Sequence, residues 1–168
     1  LDHTKGSGCH NIIVRGKGTI CGGGQVLAKK IIEDERARIK SFLDDNEELV
    51  KSCENDDTIP GRVRPRLVNL SNCENVWFSG ITFKNSPAWT FHMVYCDNIQ
   101  TDHCVFESEG VWNGDGWDPD SSTNCTLFAS EFHTGDDAVA IKSGKNPEGN
   151  EIGRPCAHIK VFDCRIGY

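Results

Sequence analysis

The sequence lacks any apolar run near the about 18 residues that a membrane-spanning helix needs. It shows no secretory leader: Leu1-Asp2-His3-Thr4-Lys5 has neither a basic start nor an apolar core, and there is no initiating Met. Basic charge is scarce. Eighteen Lys and Arg face 25 Asp and Glu, giving a net charge of -7, which argues against nucleic acid as a partner. No CxxC and no Cys…His zinc spacing occurs among the nine cysteines, so no metal site is expected from them. The glycines of "GKGTICGGG" (16 to 24) are not spaced as G-x-G-x-x-G and include no G-K-[ST], which leaves a turn rather than a nucleotide loop. The 168 residues suffice for one domain with little room for two. Both ends read as internal to a longer protein, with strand-like sequence by Ile12 and again in the closing "VFDCRIGY".

What is present is a repeat. "CHNIIV" from Cys9, "CENVWFSGITF" from Cys73, "CDNIQTDHCVF" from Cys96 and "CAHIKVFDCRI" from Cys156 share one pattern, and "TNCTLFASEF" from Thr123 fits with Thr in the Cys place. Asn11, Asn75, Asn98 and Asn124 fill one column, with His158 in the last copy. The anchors at 73, 96, 123 and 156 are separated by 23, 27 and 33 residues, a period that signals stacked units. Each copy alternates apolar and polar, so each is a strand. Helical patterning between the later copies is lacking. The expectation is an all-β parallel β-helix whose coils stack at about 4.8 Å, with like residues over like. The cysteines are then an inward packing ladder, disulfides between stacked neighbours staying open, and the Asn column bonds along the stack. Residues 25 to 51 break the pattern with helical spacing. They predict an insertion that continues as loop to about residue 60, inside a single domain of residues 1–168.

Two acidic stretches carry the chemistry. "GDGWDPDSS" (114 to 122) reads as a solvated turn, a calcium loop or a carboxylate site, and the spacing of its aspartates does not fit the EF-type frame. Asp136 and Asp137 follow Asp115 by about one coil, which puts the three carboxylates on one face. Like charges that close raise at least one pKa, and a raised and an unraised carboxylate supply acid and base. Asp118 and Asp120 are expected to shape the turn, with Trp117 packed beneath.

The stretches "RPRLVNLSNCENVWFSGITFKNSPAWTFHMVYCDN", "NGDGWDPDSS" and "HTGDDAVAIKSGKNPEGNEIGRP" resemble the polygalacturonase family, glycoside hydrolase family 28, over roughly residues 64 to 167 and more weakly over 6 to 24. The resemblance implies a right-handed parallel β-helix that hydrolyses α-glycosidic bonds of pectic galacturonan with inversion and needs no metal or cofactor. It implies that Asp136 is the general acid, and that Asp115 and Asp137 hold and activate the water. Asn113, Trp89, His92 and Lys142 are further cleft candidates, Trp89 being equally readable as core. The "IKSG" form is similar to exo-acting and to bacterial or plant members. The resemblance also implies a secreted protein, extracellular or periplasmic, monomeric when complete, with a polysaccharide as partner and neither nucleic acid nor membrane. Gly114 stands where the family's motif has Thr. The family's downstream G-H-G and R-I-K motifs have no match, so the chain reads as a piece lacking C-terminal coils. Two other functions suit a β-helix: a pectate-lyase-like polysaccharide lyase and a non-catalytic carbohydrate-binding or adhesin module.

Overall fold

The computed structural model describes residues 8–51, 65–145 and 147–167. Three parallel sheets run along one axis. The first contains β1 (His10–Arg15), β4 (Glu74–Ser79), β7 (Asp97–Asp102), β10 (Thr126–Phe128) and β12 (Lys160–Phe162). The second contains β2 (Thr19–Cys21), β5 (Thr82–Lys84), β8 (Val105–Glu107), β11 (Glu131–His133) and β13 (Arg165–Ile166). The third contains β3 (Val68–Ser71), β6 (Phe91–Val94) and β9 (Trp117–Asp120), extended by parallel bridges from Trp117 to Val139 and from Asp120 to Lys142. Every pairing joins strands one coil apart, so the chain winds as a right-handed parallel β-helix.

The repeat columns acquire a physical reason at the turns. Asn11, Asn75, Asn98, Asn124 and His158 all have φ between 54 and 57°. Asn tolerates this left-handed conformation better than other non-glycine residues, and there the chain bends into the first sheet. Bonding along the stack is partial. Asn98 donates to Asn75 Oδ1 at 2.7 Å, whereas Asn124 turns to Asp97 Oδ1 at 2.7 Å.

Alternate positions point inward and stack. Phe83, Phe106 and Phe132 form a file with centroids 5.1 and 4.6 Å apart, the rings of the second pair stacked nearly parallel. Such stacking adds about 0.5–1.5 kcal/mol per pair to the gain from area burial. Cys73, Cys96, Cys104 and Cys125 are buried, as expected of a packing ladder. Burial pushes the Cys96 and Cys125 thiols up to about 12, so they stay protonated and behave as small apolar groups. The eight cysteines among the described residues are free thiols; Cys53 lies outside them.

Helix α1 (Gly24–Asp45) and helix α2 (Glu47–Lys51) occupy the segment with helical spacing. The expected loop beyond it, to about residue 60, lies outside the described residues. A third helix, α3 (Glu148–Ile152), was not legible: five residues are too few to show a period, and Gly153 ends it in the left-handed conformation at φ 61°.

The "WDPD" stretch corrects the expectation of a turn. Trp117 to Asp120 are strand β9, paired in register with Phe91 to Val94. Trp117 faces inward, fully buried, and donates its indole N–H to Thr101 Oγ1 at 3.1 Å. Asp118 and Asp120 alternate with it and lie on the opposite side of the strand.

Candidate active site

The loops that enter the third sheet bring the acidic stretches together. Thr90 donates its backbone N–H to Asp115 O at 2.8 Å, and Gly116 donates to Asp137 O at 2.8 Å. Three successive coils therefore place Trp89, Asp115 and Asp137 side by side. Asp115 is buried, while Asp136 and Asp137 are exposed. Asp136 Oδ1 accepts the Asp137 backbone N–H at 3.0 Å, and Thr134 Oγ1 donates to Asp136 O at 2.8 Å, which fixes the loop.

Two glycines make the approach feasible. A Cβ on Gly114 would stand 2.8 Å from Val111 O and 3.0 Å from Val111 Cβ. The family's Thr would not fit there without a shift of the loop, so the Gly suits a turn folded tightly over it. A Cβ on Gly116 would meet the Phe132 ring at 2.7 Å, so the stretch that carries Asp115 rests directly on the aromatic file.

Asp115 has its partners built in. Lys142 Nζ lies 3.3 Å from its Oδ2, and Asn113 donates weakly to its Oδ1 at 3.5 Å. Burial raises the Asp115 pKa above its ordinary value; Lys142 opposes this and the Asp136 charge adds to it. The expected rise among clustered carboxylates is thus found at Asp115, and desolvation outweighs repulsion as its cause.

The outer face of the third sheet carries a second layer. In register across it lie Asn69, His92 and Asp118. His92 Nδ1 is 2.8 Å from Asn69 Oδ1 and its Nε2 is 3.5 Å from Asp120 Oδ2, too long for a good hydrogen bond. Burial lowers the His92 pKa, with the Asp120 carboxylate acting against it. Asp120 Oδ1 accepts the Gly144 backbone N–H at 2.7 Å, which ties the strap after Lys142 to the strand. Asp118 is fully buried and 3.2 Å from Lys142 Nζ.

Trp89 joins these groups. The Arg66 guanidinium carbon lies 4.2 Å and the Lys142 ammonium 4.3 Å from its ring centroid, and the His92 ring is 5.1 Å away. Two cations and an imidazole crowd the indole, so it is packed among charged groups and is not a bare platform for a sugar. The structure thus gathers Asp115, Asn113, Lys142, Trp89 and His92 into one contact network, with Asp136 and Asp137 at its exposed edge. Sequence reasoning missed Arg66, Asn69, Asp118 and Asp120. The period-two spacing of Asp118 and Asp120 was the available signal for one strand face.

Fold and cluster define a class: a right-handed parallel β-helix that lines one sheet with acidic side chains and half-buried cations. The chain belongs to Glycosyl hydrolases family 28, whose family model matches residues 3–161. It is 34% identical over 99 residues to a probable polygalacturonase of Vitis vinifera, covering 58% of this chain and 20% of that protein. It is 36% identical over 84 residues to an endo-polygalacturonase of Pectobacterium carotovorum subsp. carotovorum, covering 48% and 20%. Among solved structures, a hyperthermoactive exopolygalacturonase from Thermotoga maritima superposes with a TM-score of 0.74 at 28% identity, over 95% of this chain and 38% of that one. The matched part is therefore about a fifth of the length of these curated relatives. No helix among the described residues is long and apolar enough to cross a membrane.

Proposed function

We propose that this chain carries the catalytic wall of a glycosidase that hydrolyses α-linked galacturonan with inversion. The carrying observation is the placement of Asp115 and Asp137 on adjacent coils, joined through the Gly116 N–H, with Asp136 beside them at the exposed edge. Asp136 protonates the leaving oxygen. Asp115, held as a carboxylate by Lys142 and Asn113, and Asp137 orient and deprotonate the attacking water. Inversion requires acid and base about 6.5–9.5 Å apart, which is the separation this reading expects between the Asp136 carboxyl and the water-activating carboxylates. Asn113, His92 and Trp89 act here as wall and positioning groups, and the Arg66 and Lys142 cations give an acidic protein a local attraction for uronates.

The finer assignments belong to the same proposal. The substrate is a pectic galacturonan, the enzyme works outside the cell, and it is a monomer. Exo action is supported by the similarity to the Thermotoga maritima exopolygalacturonase and by the "IKSG" form, while the Pectobacterium carotovorum relative is an endo enzyme. Incubation with polygalacturonate decides. Release of reducing ends without absorbance of unsaturated products supports hydrolysis, and unsaturated products would overturn it in favour of a lyase. Early release of monogalacturonate alone supports exo action, whereas a ladder of oligomers excludes it.

A further inference from the structure

We propose that Asp118 is a positioning residue for Asp115: it shares the Lys142 ammonium with Asp115 and so governs how fully that ammonium pairs with Asp115. The proposal rests on the reading of Asp115 as part of the hydrolytic site. Its geometry stands independently of that reading.

The Lys142 ammonium sits between two carboxyl groups, 3.3 Å from Asp115 Oδ2 and 3.2 Å from Asp118 Oδ1. Ala140 O, at 3.5 Å, and the Trp89 ring close the remaining sides. Asp118 is wholly buried, and neither of its oxygens has a hydrogen-bond partner, because the Lys142 contact is close but poorly directed. A carboxyl group in that position is costly, since desolvation is uncompensated by hydrogen bonds. Its neighbours account for it only through the cation.

The charged and titratable groups around Asp118 come from four segments. Arg66 precedes β3, His92 stands beside it in register on β6, Asp115 and Asp120 flank it along its own coil, and Lys142 lies in the next coil. Burial, aided by the Asp115 charge, pushes Asp118 up to about 7, against the pull of Lys142 and Arg66. Asp118 therefore has two states near neutrality. While it keeps its proton, the ammonium serves Asp115 alone and favours the Asp115 carboxylate. When it loses that proton, one ammonium is divided between two buried carboxylates, and Asp115 loses part of its stabilisation.

The test follows the side-chain resonances of the full chain, labelled with carbon-13 and nitrogen-15, from pH 4 to 9. The carboxyl carbons of Asp115 and Asp118 and the ε-carbon and ζ-nitrogen of Lys142 are read. The expected result is an inflection in the Lys142 and Asp115 signals at the pH where Asp118 itself titrates. In Asp118→Asn that shared inflection disappears, while Asp115 keeps its own acid-side step. Lys142 signals that stay flat through the Asp118 titration would overturn the proposal, as would an inflection that survives the substitution. If Asp118→Asn does not fold, the unmodified chain decides alone, because steps at different pH values in the three residues contradict a shared ammonium. No readout uses substrate, so a chain inactive on galacturonan overturns the proposed function and leaves this result standing.

Discussion

Trp77 donates its indole N–H to Asp102, 25 residues later and one coil away. The same carboxylate accepts from Ser79 Oγ at 2.7 Å, Gln100 Nε2 at 2.9 Å and His103 Nδ1 at 2.9 Å. Burial would raise the Asp102 pKa, yet these donors hold it below the ordinary value. Asp102→Ala leaves several donors without an acceptor on the first sheet. The expected loss is about 2–4 kcal/mol in urea unfolding, with a shift in the emission of Trp77.

The aromatic file supports the turn beneath the cleft. Phe106 lies between Phe83 and Phe132, and the Phe132 ring touches Gly116. Phe106→Ala is expected to cost about 3–5 kcal/mol, because coils stacked along one axis cannot collapse onto the cavity. Denaturant midpoints compared with the parent chain measure it.

Replacing Gly114 by Thr restores the residue found in the family's motif. In this chain the Cβ would meet Val111 O at 2.8 Å. The substitution is expected to destabilise the chain by about 1–3 kcal/mol and to displace Asp115, lowering any release of reducing ends. Thermal unfolding together with the polygalacturonate assay checks both effects.

Asp115→Asn preserves shape and removes the carboxylate. Hydrolysis is expected to fall by about 10²–10⁴-fold, and so is that of Asp136→Asn, with the circular dichroism of both unchanged. A rate within a factor of two of the parent for either variant would remove that residue from its role.

Stability should respond to pH in two separate windows. The raised pKa of Asp118, about 7, means that the folded chain keeps a proton the unfolded chain loses above about pH 4. Stability therefore falls as pH rises from about 4 to 7, by up to about 4 kcal/mol, and Asp115 acts in the same direction. Asp102 and Asp120 are lowered, so their contribution is present above the unfolded value and lost only as pH falls below about 4. Asp118→Asn should flatten the dependence between pH 5 and 8 while leaving the acid side intact. Urea midpoints at pH 3, 5 and 8 measure this.

The strands were legible wherever inward apolar residues alternated with polar ones, as in "ENVWFSGITF" and "DNIQTDHCVF". The carboxylates of Asp115 and Asp137 were legible because the strands of the third sheet recur after 23, 26 and 22 residues, at Val68, Phe91, Trp117 and Val139, so sequence separation there converts into adjacency. "WDPD" was not legible as a strand, since Asp and Pro disfavour strands and suggest turns locally; pairing with Phe91–Val94 overrides that preference. Arg66 and Asn69 were missed for a different reason. Their role depends on what the next two coils lay over them, and no local pattern encodes that.

Among the described residues most bonds join a coil to the coil before it and the coil after it, through Asp97, Thr123 and Ala157 at one corner and through the three sheets elsewhere, while Lys142 and Arg154 reach two coils back to Trp89 and Tyr95. Under a mechanical load such a stack yields mainly winding by winding. Force applied at the β12–β13 end would be met one winding at a time, as yarn leaves a spool. Asp136, Asp137 and Lys142 lie in the winding that leads into β12 and would come away soon after it, before Asp115 one coil further in.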